Sequence, residues 1–187
     1  MAFLRTLTCN YVYGFLSIAF SNVFAYGQPT TTSEYELKAV FIFNFTQFVE
    51  WPAASFATDQ APFVIGIFGD DPFDSYLNDV ISGEKVNGHP LVIEHYANAG
   101  DIKNCHVLFV SRNVIGQLAQ IAPTLKKQNV LIVSDASTFL MQGGMIKLVT
   151  KNNKIQLQIN LESVKETNLM ISSKLLRLAD IYTPEQK

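Results

Sequence analysis

The sequence predicts an α/β fold, a single three-layer-like domain with a mixed, mostly parallel sheet, a C-terminal antiparallel hairpin and flanking helices. Three observations predict it. Hydrophobic residues make up 48% of the 187 residues and charged residues 16%, which is enough apolar surface to exclude a disordered chain. Short apolar runs of strand-forming residues alternate with helical patterns through the middle of the chain. Two later strand-like runs are joined by a short loop that contains asparagine.

The N-terminal segment predicts a secretory signal peptide over residues 1–25. Arg5 is the only charge before Glu34, the run from Tyr11 is mostly apolar, and the segment ends on small or aliphatic residues at Ala25. A membrane anchor is the rival interpretation. Polar and glycine residues interrupt the run, however, and leave it shorter than the roughly 18–20 apolar residues of a span.

The predicted organisation is therefore a signal peptide at 1–25, a polar lead at 26–33 and an α/β domain at 34–187. No segment after residue 25 is long and apolar enough to span a bilayer, so we expect an exported, soluble mature chain. Cys9 leaves with the signal peptide. The remaining Cys105 is then either buried and inert or intermolecular.

The first helix is predicted from Ser33, as N-cap with Glu36 as its capping-box partner, to about Glu50. Its apolar residues recur at helical spacing and also lie off that stripe, which predicts burial on several sides. Trp51 precedes a proline, and a residue in that position disfavours helical geometry.

The central elements follow in alternation. Phe63–Phe68 predicts a buried strand, followed by a turn, an acidic cap at Asp70 and Asp71, and a helix that starts at Pro72. Three further strands and one helix are predicted at 91–95, 105–110, 130–133 and, for the helix, 114–126.

The last third changes pattern. Met145–Thr150 and Lys154–Leu161 predict the antiparallel hairpin, since the residues between them favour a tight turn. A final helix is predicted over either Glu162–Glu166 or Ser172–Ile181.

The sequence offers no catalytic or metal-binding constellation, and neither a cofactor nor an enzymatic activity is expected. Its 14 basic and 16 acidic residues, with no basic run, also make nucleic-acid binding unlikely. Asp70, Asp71 and Asp135 follow predicted strands, where α/β proteins place ligand contacts. The alternative is that these aspartates cap helices. A serine–lysine hydrolase is disfavoured, because Lys174 lies one residue after Ser173 rather than three.

Two blocks, supported by shorter matches between them, carry a family resemblance. The first runs from Lys38 to Pro52 and reads Lys-Ala-Val-Phe-Ile-Phe-Asn-Phe, then Phe-Val-Glu-Trp-Pro. The second comprises residues 143–146, 159–161 and 169–179. The chain resembles the YfiR family of periplasmic proteins, formerly a domain of unknown function, from about Lys38 to Ile181.

The resemblance implies a periplasmic, often dimeric regulator that represses a membrane-bound diguanylate cyclase by binding its periplasmic sensor region. Release of the repression raises cyclic-di-GMP and favours biofilm formation. Family members can carry disulfides, but Cys105 has no partner in the mature chain. An alternative hypothesis is a periplasmic small-ligand-binding sensor subunit that serves a different membrane signalling protein.

A repressor needs an interaction surface, and interfaces favour aromatic and aliphatic anchors. One candidate surface is the aromatic-rich first helix from Phe41 to Trp51, and the other is the segment around Leu169–Arg177. The candidate partner-binding residues are Phe48, Trp51, Leu169, Ile171, Lys174 and Arg177. Core packing is the alternative for the aromatic and aliphatic members.

Overall fold

The computed structural model describes the backbone of residues 31–184 and the side chains of residues 34–184. The predicted signal peptide, most of the polar lead and the last three residues lie outside the described part of the chain. The helices are α1 (Thr31–Phe48), α2 (Tyr76–Ile81), α3 (Leu118–Lys127), α4 (Leu161–Lys165) and α5 (Ser173–Leu176). The strands are β1 (Val49–Glu50), β2 (Phe63–Phe68), β3 (Lys85–Val86), β4 (His89–Tyr96), β5 (Val107–Val110), β6 (Leu131–Ser134), β7 (Ile146–Lys151), β8 (Lys154–Ile159), β9 (Met170–Ile171) and β10 (Ala179–Ile181).

An eight-stranded mixed sheet forms the centre of the domain, in the order β10-β8-β7-β6-β5-β2-β4-β3. The strands from β7 across to β4 are parallel to one another. The hairpin strand β8 is antiparallel to β7, and the edge strand β3 is antiparallel to β4. The predicted α/β class, the mostly parallel sheet and the hairpin are confirmed.

The strand order creates a switch point between β2 and β5. From β2 the chain crosses to β4 on one side, and it then returns to β5 on the other side and continues outward to β6. Right-handed crossovers in opposite directions place α2 and α3 on opposite faces of the sheet. Helix α1 packs against α2. Ligands of such sheets bind in the crevice at the carboxyl ends of the strands, at the switch point.

The core lies around β2, β5 and β6, all of whose residues are buried. This is the pattern of parallel strands covered on both faces. Gly66 in β2 is required by close packing, because a Cβ there would lie 2.6 Å from the Tyr96 ring and 2.7 Å from the Cys105 sulfur.

A separate two-stranded ribbon joins the N-terminal part of the described chain to its C-terminal part. β1 pairs antiparallel with β9, with Val49 opposite Ile171 and Glu50 opposite Met170. The amide of Ser172 donates to the carbonyl of Phe48 at 2.9 Å.

Two helix starts differ from the prediction. Helix α1 begins at Thr31, so Ser33 lies inside it rather than at its cap, and it ends at Phe48 because the next two residues pair with β9. Helix α2 begins at Tyr76 rather than at Pro72. The predicted acidic cap of that helix is therefore wrong, and the Asp71 carboxylate instead accepts a hydrogen bond from the Phe73 amide at 2.8 Å.

The last third is built from shorter pieces than predicted. Both alternatives for the final helix form, as the single turns α4 and α5, and residues 179–181 of the longer alternative form β10 instead. Both helices begin at a side-chain cap, since the side chains of Asn160 and Ser172 accept hydrogen bonds from the amides three residues on.

Candidate functional site

A fully buried lysine in α1 is the centre of an ionic network. The side chain of Lys38 has no exposed area, and its ammonium group donates to the carboxylates of Glu34 and Asp135. Glu34 lies one turn earlier on the same face of α1. Asp135, by contrast, is 97 residues away, directly after β6. The network therefore ties the first helix to the carboxyl end of the sheet.

Asp135 accepts hydrogen bonds from three different side chains. Besides Lys38, the guanidinium of Arg112 donates through Nε to Oδ1 at 3.0 Å and through Nη2 to Oδ2 at 2.8 Å. The hydroxyl of Tyr35 donates to Oδ2 at 2.9 Å. Burial alone raises the pKa of Asp135, but the donors from Lys38, Arg112 and Tyr35 outweigh it and leave the pKa below its ordinary value. Asp135 is thus held as an anion.

The groups around Asp135 shift in both directions: the pKa values of Tyr35 and Arg112 are raised, and that of Glu34 is lowered. Burial and the negative charge of Asp135 raise the pKa of Tyr35 to about 12. The hydrogen bond to Asp135 raises the pKa of Arg112 despite partial burial. For Glu34, hydrogen bonds from Lys38 and Thr150 outweigh the raising effect of burial, and its pKa is lowered. At neutral pH the network holds two cations against two carboxylates, with Tyr35 as a neutral donor.

Two clefts flank Arg112 at the carboxyl ends of the strands. The larger, of about 700 Å³, is lined by α1, the turn after β6 and strand β7, and Lys147 contributes a further cation to it. The smaller, of about 230 Å³, lies over the ends of β2 and β5 and includes Tyr35 and Asp70. Both share Arg112 and Asp135. The sheet thus places a charged, partly open crevice where ligands of this topology bind.

The three aspartates predicted as ligand contacts are only partly brought together. Asp70 is exposed and lines the smaller cleft with Asp135. Asp71 instead pairs with His95 at 2.7 Å on an exposed surface. Asp135 lies at the centre of the site, but its oxygens are occupied by side chains of the same chain.

The six predicted partner-binding residues divide into a surface and its support. Four of the six are exposed or half-buried around the terminal ribbon: Phe48, Ile171, Lys174 and Arg177. Together with exposed Glu50 and Met170 of the ribbon, which were not predicted, they form what we call the β1–β9 surface. Leu169 is buried and Trp51 is half-buried. The Trp51 indole donates to the carbonyl of His106 at 3.2 Å. Leu169 and Trp51 therefore support this surface from within the fold.

The histidine and cysteine next to β5 are structural groups. The Cys105 thiol donates to the Val107 carbonyl at 3.0 Å, and burial raises its pKa to about 12. The ring of His106 accepts from the Val64 amide at 3.0 Å through Nδ1 and stacks against the rings of Phe56 and Phe63. Within residues 31–184, no cluster of three or more His, Cys, Asp or Glu side chains is arranged to hold a metal ion.

Comparison with known families decides the relationship. The model of the YfiR/HmsC-like family matches residues 35–180, which is most of the chain. The chain belongs to the YfiR/HmsC-like family. The family resemblance expected from the two blocks is confirmed. YfiR/HmsC-like proteins are periplasmic regulators in signalling rather than enzymes. No curated protein matches the chain. Among the described residues, none of the helices has the length and hydropathy of a bilayer span.

The cationic half of the larger cleft is not predicted by the sequence patterns. Lys38 opens the first block, but no motif predicts a role for it, and neither Arg112 nor Tyr35 belongs to a pattern that predicts a site. One local signal was present, because Lys38 is the only charged residue between Glu36 and Glu50 in an otherwise apolar helix. A charge at such a position requires a buried partner.

Proposed function

We propose that this YfiR/HmsC-like protein is a periplasmic repressor of a membrane-bound diguanylate cyclase and acts by binding the periplasmic sensor region of that enzyme. Family membership supports a regulatory role in signalling. The observation that supports the proposal is the β1–β9 surface, because there a segment of the first resemblance block pairs with a segment of the second: Glu50 lies opposite Met170 and Val49 opposite Ile171.

The composition of this surface is that of a recognition patch. Met170 is 63% exposed at its centre, where it lies opposite exposed Glu50 and next to half-buried Phe48 and Ile171. Exposed Lys174 and Arg177 follow on α5 and its end. An apolar centre with a charged rim is the usual anatomy of a protein–protein interface. The matching sensor region would carry an apolar pocket beside acidic residues.

Substitutions on this surface test the proposal in a binding assay. The mature chain, residues 26–187, is titrated against the purified periplasmic region of the cyclase by calorimetry. We expect Met170→Asp and Lys174→Glu each to weaken binding at least tenfold, because a charge enters the apolar centre and the rim charge is reversed. Met141→Asp and Lys165→Glu are the matched controls, since both residues are exposed and lie outside the surface.

The same variants separate repression from other roles in cells. Deletion of the gene should raise cyclic-di-GMP and biofilm mass, and the wild-type chain and both control variants should restore low levels. Met170→Asp should be exported in normal amounts and fail to repress. Normal repression by both surface variants, or full binding by them in the calorimeter, would refute the assigned surface.

Export and dimerisation belong to the same proposal. We expect signal cleavage after Ala25, which mass spectrometry of the protein from the periplasmic fraction would show as an N-terminus at Tyr26. We also expect a homodimer, as the family resemblance implies, with twice the monomer mass in light scattering. A chain that retains residues 1–25 in the membrane fraction would contradict this route.

The second candidate function is a periplasmic sensor subunit that binds a small ligand and serves a different membrane protein. The crevice at the carboxyl ends of the strands favours it, because the buried Lys38–Asp135 pair positions Arg112 there. A thermal-shift screen of periplasmic metabolites tests it. A ligand that raises the midpoint of the wild-type protein, and not of an Arg112→Gln variant, would support a sensor. A flat response would favour the repressor alone.

A further inference from the structure

The larger cleft contains two cations with unused hydrogen-bond donors. The side chain of Arg112 is 62% exposed, and its Nε and Nη2 atoms are engaged by Asp135. Its Nη1 atom has no hydrogen-bond partner among the described residues. A guanidinium held on one edge by a buried carboxylate is fixed in orientation, so its remaining donors are preorganised.

Lys147 supplies the second cation from β7. It lies opposite Ser134, the last residue of β6, and its ammonium group donates to the carbonyl of Ser137 at 3.1 Å. No carboxylate within the described residues lies within 4.0 Å of it. Lys147 is therefore not paired with a carboxylate, and its ammonium group keeps two further donors at the wall of the cleft.

The carboxylates of this cleft are already neutralised. Both Glu34 and Asp135 contact the buried ammonium of Lys38, and Asp135 is also paired with Arg112. Three cations, Lys38, Arg112 and Lys147, thus face two carboxylates, which leaves one net positive charge. The hydroxyl residues Ser137 and Thr138 lie between the two open cations in sequence and line the same wall.

We propose that this cleft binds a small anion of the carboxylate or phosphate class between Arg112 and Lys147. Arg112 would present Nη1 to one oxygen, and Lys147 would take a second oxygen as a point charge. Its volume of about 700 Å³ accommodates a metabolite rather than a single inorganic ion. The biological role of this anion rests on the proposed function, because the anion would be the ligand of the sensor subunit; binding of the anion to the cleft does not depend on it.

Binding is measured on the mature chain alone, so it is separable from the partner-binding test. Inorganic phosphate and succinate are titrated by calorimetry at constant ionic strength, and ¹⁵N NMR follows the side-chain Nε of Arg112. We expect saturable binding of at least one probe, with a shift of the Arg112 resonance. The stronger of the two probes shows whether phosphate or carboxylate is the preferred group.

Two matched variants locate the site. Lys147→Gln removes a charge that forms no ion pair within the described structure. The variant should fold normally and bind the probe of higher affinity at least tenfold more weakly than the wild type. Lys154→Gln removes a charge of the same type from the exposed start of β8, outside the cleft, and should leave the affinity unchanged. No saturable binding of either probe, or equal affinity of wild type and Lys147→Gln, would overturn the proposal. Either result would leave the repressor proposal standing, since that rests on the β1–β9 surface.

Discussion

Replacing Lys38 by methionine tests whether the buried network holds α1 on the sheet. Methionine keeps the length and apolar stem of lysine, so the change removes the ammonium group and leaves no large cavity. Glu34 loses little, because its side chain is 23% exposed and keeps Thr150 as a donor. Asp135 is the costly partner, since its side chain is only 2% exposed.

The magnitude follows from the donors that Asp135 keeps. Removal of one member of a fully buried pair costs about 3–5 kcal/mol, because a charge is left uncompensated. Here Arg112 and Tyr35 still donate to Asp135, so we place the loss at the lower end, at about 3 kcal/mol. That corresponds to a fall of roughly 6–12 °C in Tm for a domain of this size.

Urea unfolding of the mature chain, followed by circular dichroism, measures this loss. The control is Lys165→Met, which removes an exposed i,i+3 pair with Glu162 and should change the free energy of unfolding by less than about 0.5 kcal/mol. The Lys38→Met/Asp135→Asn double variant should recover at least about 1 kcal/mol relative to the sum of the single changes. A loss below about 1 kcal/mol for Lys38→Met, or strict additivity, would refute the reasoning.

Three further predictions concern the core. Burial lowers the pKa of His106 from 6.5 to about 4, so between these pH values the unfolded chain binds more protons than the folded one. The stability measured by thermal unfolding should therefore fall as the pH drops from 6.5 to 4, and His106→Gln should flatten this part of the pH profile. Gly144→Ala places a Cβ 2.2 Å from the buried ring of Phe139 and should lower the free energy of unfolding in urea by about 3 kcal/mol, whereas the Cβ of Gly100→Ala meets no atom within 4 Å and should leave it nearly unchanged. Equal stabilities of the two variants would contradict this packing. Cys105 should react with Ellman's reagent only upon unfolding, since its thiol is buried and its pKa raised to about 12; rapid labelling of the native protein would contradict this.

Local patterns in the sequence predict the central fold well. The apolar run at Phe63–Phe68 and the run that follows Cys105 become parallel strands, because strands covered on both faces must be apolar throughout. The hairpin is predicted by its turn, and Asn152 and Asn153 adopt the positive φ angles of 50° and 60° that such a turn requires.

The short elements and the charged site depend on distant residues and are predicted less well. β9 contains two residues and exists because β1 pairs with it, so it has no periodicity of its own. The role of Arg112 is set by Asp135, 23 residues later, and that of Lys38 by the same carboxylate, 97 residues away. Of Lys38, Arg112 and Asp135, only Asp135 is predicted from its position, since it directly follows a predicted strand.

The attachment of α1 has a consequence for how the chain matures. The first helix is synthesised at the beginning of the domain, yet its partners Asp135 and Ser172 lie in the last third of the chain. Closing such long loops is entropically expensive and slow, so α1 completes its contacts only after most of the chain is available. Until then, apolar side chains of α1 remain exposed to solvent. A nascent or truncated chain that stops before β9 would therefore expose the apolar side chains of α1 to chaperones and proteases. The helix is fully covered only in a chain that contains the last block, so only the complete domain is protected.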